Sequence, residues 1–127
     1  MNYITLTDQN DGYKIPKGYI HYDCAAQRAL NISDLTCTVV YDYSYGERDR
    51  LKVVGEISSD ALIADTLIYV MVYNKNDILI GCDFDAVIRK SSFNGFTSFQ
   101  TSVYIPEGAS ISKIVIRPGA NPVMLRS

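Results

Sequence analysis

His21 stands three residues before Cys24 and is the only histidine among 127 residues, so any imidazole chemistry in this chain must use it. A Ser-His-Asp triad or a Cys-His pair would have to be built on that one ring, and a two-histidine zinc site needs a second. Closeness in sequence does not assemble a catalytic pair, because the fold does that, and His21 therefore reads as a surface or hydrogen-bonded residue. Asp83 and Asp85 form the tidiest carboxylate pair, two apart and expected on the outward face of one strand. Such a pair can hold calcium or divide acid and base roles, but it needs a third ligand, such as Asp42 or Asp60, from elsewhere. Asp8 to Gly12 opens like a calcium loop. Its glycine falls one position early and Tyr19 stands where the closing glutamate belongs, so the simpler reading is a turn headed by Asp11-Gly12.

Cys24, Cys37 and Cys82 cannot all pair within one chain and show no CxxC spacing. They read as buried thiols of a reducing compartment. A disulfide joining Cys37 to Cys82 across two sheets is the alternative, and it would place the protein outside the cytoplasm. No metal or cofactor is expected, and no residue is assigned to catalysis.

The elements that must position these groups are strands. Thr66 to Phe84, TLIYVMVYNKNDILIGCDF, reads as two strands joined by the turn residues Asn74 to Asp77. Ile68, Val70 and Val72 fall on one face, while Leu67, Tyr69, Met71 and Tyr73 fall on the other. In the returning strand Ile80, Cys82 and Phe84 are expected inside, with Asp83 and Asp85 outside.

Elsewhere the chain offers a short first strand over Tyr3 to Thr7 and an extended segment over Tyr19 to Tyr22. A turn or two of helix follows Asp23, with Asn31 as its stop. Further strands are expected over Leu35 to Tyr45 and Leu51 to Ser58, with Gly55 marking a bulge or a close approach between backbones. Asn94-Gly95 signals another reversal, Phe96 to Ile105 alternates, and Ile111 to Arg117 is the last strand before Pro118, Gly119 and Pro122. This spacing predicts a single all-β domain, a two-sheet antiparallel immunoglobulin-like sandwich of about seven strands with one short helix near the N-terminus. A partly closed barrel or a jelly roll is the competing architecture.

Lys and Arg number 12 against 14 Asp and Glu, which gives no electrostatic footprint for nucleic acid or an anionic membrane. The longest apolar run, Leu67 to Tyr73, is far short of a bilayer span, and the start lacks a basic and apolar export signal. The chain as it stands reads as cytoplasmic, or as extracellular or cell-envelope if a leader was removed.

Val53-Val54-Gly55-Glu56-Ile57-Ser58 is a glycine-centred strand, Val70-Met71-Val72-Tyr73-Asn74 leads into the turn Lys75-Asn76-Asp77, and Ile105-Pro106-Glu107-Gly108 precedes Ile114-Val115-Ile116. Over about residues 52–117 this arrangement resembles the FxLYD-type immunoglobulin-like domains of bacterial proteins. The resemblance implies an accessory or interaction module and carries over no catalytic residue. Ten tyrosines and no tryptophan make a skewed aromatic set. Tyr69, Tyr73 and Tyr104 are expected on outward faces; Tyr41, Tyr43 and Tyr45 either continue the core at the sandwich rim or join them in a binding patch for a protein partner, a second copy or a sugar ring. The simpler reading has each ring covering its own stretch of sheet. The function expected is a noncatalytic binding or structural module, with a calcium-dependent or carbohydrate-binding module as the alternative and an enzyme behind both.

Overall fold

The computed structural model describes residues 2–43 and 48–120, apart from the Asp85 side chain. Among them lie β1 (Ile4–Thr5), β2 (Ile20–Tyr22), α1 (Cys24–Ala29), β3 (Asp34–Asp42), β4 (Asp49–Ser58), β5 (Thr66–Asn74), β6 (Leu79–Ile88), β7 (Phe96–Ile105) and β8 (Ser110–Ala120). One sheet has the order β3-β4-β7, and the other has the order β1-β8-β5-β6 with β2 lying parallel against β8. The links β4 to β5, β6 to β7 and β7 to β8 each cross between sheets, which is the Greek-key alternation of an immunoglobulin-like sandwich. Val39, Val53, Ile57 and Val103 from one sheet meet Ile68, Val70, Ile114 and Ile116 from the other in a continuous core.

The β5–β6 hairpin forms because Asn74 organises its own turn. The Asn74 side-chain oxygen accepts from the amides of Asn76 and Ile78 at 2.9 and 3.0 Å, and Asp77 takes a left-handed φ of 62°. The return strand corrects the expected phase. Ile68 pairs with Ala86, but Val70 pairs with Asp83, so β6 carries an extra residue opposite Tyr69. Between that bulge and a second irregularity, where Val72 pairs with Gly81 but Tyr73 with Leu79, the side chains change face. Ala86 and Ile88 are buried, whereas Phe84 and Cys82 are exposed rather than in the core; Ile80 keeps its expected inward side, half-buried against the core.

Asp83 accordingly turns inward rather than outward. One of its carboxylate oxygens accepts from the Thr101 hydroxyl of β7, and the other accepts from the Phe84 amide at 2.8 Å. Just beyond, β6 comes so close to β7 that a Cβ at Gly81 would fall 2.7 Å from the Tyr104 carbonyl oxygen. Strands β6 and β7 therefore close one side of the sandwich without sharing a ladder.

The N-terminal segment closes the other side. β1 and β2 border β8, while Lys14 bridges Val40 and the Ile15 amide donates to the Val39 carbonyl at 2.8 Å, along the free edge of β3. Tyr22 completes the cover, its hydroxyl accepting from the Cys37 amide at 2.8 Å. Between these contacts α1 is capped by Asp23, which accepts from the Ala26 amide at 3.0 Å, and it stops at Asn31 with φ of 61°.

Two further expectations change. The Asn94-Gly95 turn carries the chain into the other sheet instead of making a hairpin. β8 runs on through Pro118 and Gly119, which pair with Ile68 and Leu67. Pro118 is tolerated because β2 ends its pairing at Ile116, which leaves this stretch of β8 with β5 alone as a strand neighbour.

Candidate functional site

The tyrosines do not form one patch. Tyr69 and Tyr73 project from the outer face of the β1-β8-β5-β6 sheet, both half-buried. Tyr104, 47% exposed, projects from the outer face of the opposite sheet, with the Arg48 guanidinium 4.7 Å above its ring. Tyr41 is not at the surface at all. It is 1% exposed, and its hydroxyl donates to the Asp49 carboxylate at 2.6 Å in the core. Burial, followed by that neighbouring carboxylate, pushes the Tyr41 phenol well above its ordinary range. Tyr43 is half-buried against the core, and its amide donates to Asp11 at 3.0 Å. Tyr45 lies outside the described residues.

The face that carries Tyr69 is richer than the tyrosines alone suggest. The bulge in β6 puts Phe84 beside Tyr69 with ring centroids 5.5 Å apart. The same face holds Met71 and Cys82 as a cross-strand pair, and Val87 opposite Leu67. Phe84 is 51% exposed and Val87 46%, so this is an accessible apolar strip. Tyr69 lies directly over Gly119, where a Cβ would come within 2.8 Å of its ring, so the aromatic is seated on backbone. Lys113, 4.7 Å over the Tyr73 ring and 3.3 Å from Asp77, forms one end of the strip, and Arg117, 3.3 Å from Asp23, stands beside it. Phe84 and Val87 were missed because strict alternation puts Phe84 inside; only the unmarked bulge moves it out.

The other chemical candidates separate. Cys37 is buried, Cys24 and Cys82 are exposed, and all three are free, so neither the disulfide nor a set of three buried thiols is present. Burial pushes the Cys37 thiol up to about 12, and burial with the Asp83 charge raises Cys82, so neither is an activated nucleophile. His21 is exposed on β2, where it pairs with Val115. Among the described residues no group of three or more His, Cys, Asp or Glu converges on a point that would hold a metal. Gly55 marks neither a bulge nor a close approach between backbones but room for side chains: a Cβ there would lie 2.3 Å from the Phe99 ring and 2.9 Å from the Cys37 sulfur.

A depression of about 540 Å³ lies beside Tyr22 on the β3 side of the smaller sheet. Its polar lining comes from Lys17, Thr36, Thr38, Glu56 and Ser98. No sequence signal marks it, because its residues come from four separate segments. No family model matches the chain, and neither a curated protein nor a solved structure matches it. Among the described residues no helix is long and apolar enough to cross a membrane.

Proposed function

We propose that this chain is a noncatalytic binding or structural module that meets a protein partner, or a second copy of itself, through the outer face bearing Tyr69 and Phe84. The observation that carries this reading is the half-exposed Phe84 ring packed on Tyr69 within a strip that also holds Met71 and Val87. An aromatic and methionine surface with its charges at the border is the composition of an interface centre. The resemblance to FxLYD-type domains supports the same class of function.

The double substitution Phe84→Ser with Val87→Ser tests it without touching the buried core. Sedimentation velocity should show loss of self-association, or affinity capture should show loss of a partner that the wild type retains. Unchanged results in both would falsify the reading. A shared melting temperature for the two proteins would confirm that the variant is folded.

A further inference from the structure

On the outer face of the β3-β4-β7 sheet, side chains line up in rungs across three strands: Thr36, Glu56 and Ser98 in one, Thr38, Val54 and Gln100 in the next. Adjacent strands lie about 4.8 Å apart, so a rung spans roughly 10 Å. All of these side chains but Gln100 line the depression beside Tyr22, and Lys17 lies at its rim. Tyr22 is fixed there by its hydroxyl, held on the Cys37 amide and also facing the Cys37 carbonyl at 3.5 Å. Among the described residues, the side chains of Thr36, Thr38, Glu56, Ser98 and Lys17 make no hydrogen bond or ion pair within the protein. The groove therefore presents hydroxyls, one carboxylate and one ammonium with their bonding capacity unspent.

We infer that this groove binds a neutral saccharide. Sugar hydroxyls both donate and accept, which matches a row in which hydroxyls flank a carboxylate acceptor and an ammonium donates from the rim. Val54, 50% exposed, offers apolar contact for the C–H face of the ring. The volume falls within the range of small-ligand sites. Glu56 disfavours a phosphate or another anion, and Lys17 disfavours a cation. An added peptide strand is disfavoured too, since the Cys37 amide on the adjoining edge of β3 is already taken by Tyr22.

The test is a titration of isotope-labelled protein with glucose, galactose, mannose and N-acetylglucosamine, and with cellulose- and starch-derived oligomers, followed by amide chemical shifts. At least one sugar should shift the amides of Thr36, Thr38, Glu56 and Ser98. Glu56→Gln, an exposed and nearly isosteric change, should weaken that binding by about tenfold or more, as expected when a charged acceptor becomes neutral. Phe84→Ser, on the opposite sheet, should leave it unchanged, so this inference and the proposed interface stand or fall separately. The inference is overturned if no sugar moves these amides, if the shifts gather elsewhere, or if Glu56→Gln and Thr36→Val both bind as the wild type does.

Discussion

Tyr41 pairs with Leu51, and Asp49 lies two residues away along β4 on that same inward face, so both side chains are buried. A buried carboxylate is stable only with donors, and the Tyr41 hydroxyl is one of them. Tyr41→Phe should cost about 1.5–3 kcal/mol in urea unfolding, the range for a hydrogen bond to a charged group. Replacing Asp49 by Asn in the Tyr41→Phe background should cost less than it does alone, because the two effects are coupled.

Cys37 gives a pH signature. Its thiol rises from 9.0 to about 12 on folding, so the folded state holds the proton that the unfolded chain releases first. That contribution is fully present below about pH 9 and is lost as pH climbs toward the folded value, with a slope of at most about 1.4 kcal/mol per pH unit. Cys37→Ala should flatten the alkaline limb of stability against pH. Neither buried group stands out in sequence, because Tyr41 and Cys37 simply occupy alternate positions in a tyrosine-rich strand.

At the scale of elements, β6 shows what alternation can and cannot reveal. The hairpin, its turn and the inward set Ile68, Val70 and Val72 were legible, because β5 keeps its inward phase along its length. The phase of β6 was not, because a bulge is a local choice of backbone and DFDAV carries no residue that demands one. Once the phase changes, Asp83 becomes an inward-facing charge on an edge strand, a device that discourages edge-to-edge pairing between molecules. Asp83→Ala would remove the partner of Thr101 and uncap the Phe84 amide. The expected outcome is association that grows with protein concentration in sedimentation, together with a destabilisation of about 1–3 kcal/mol. The glycine of β4 makes the complementary case: the sequence singles out Gly55, but what needs its missing Cβ is the Phe99 ring rather than a neighbouring backbone. Gly55→Ala should destabilise by about 1–3 kcal/mol, and Phe99→Leu in the same chain should recover part of the loss.

At the scale of the molecule, the strands of residues 34–120 could be read from their alternation, whereas the role of the first third could not. Its strands are two and three residues long, too short for a period to show. Their placement is set by distant partners, Ile111 for Ile4 and Ile114 for Ile20. The tyrosine patch failed at this scale as well, since outward residues of one sheet and of the other look alike in sequence. Together β1, β2 and residues 12–15 cover the edges of both sheets, so deleting residues 2–33 should leave two strand edges open and yield an aggregation-prone product, measurable by light scattering.

The central place of β8 also has a consequence for synthesis. It lies between β5 on one side and the N-terminal strands on the other, yet it is the last strand of the described chain to leave the ribosome. The smaller sheet can close once β7 has emerged, but β1 and β2, made before it, must wait unpaired until residues 110–120 arrive. Nascent chains halted before Ser110 should therefore be cut readily within residues 2–33, and those released after Ala120 should resist the same protease.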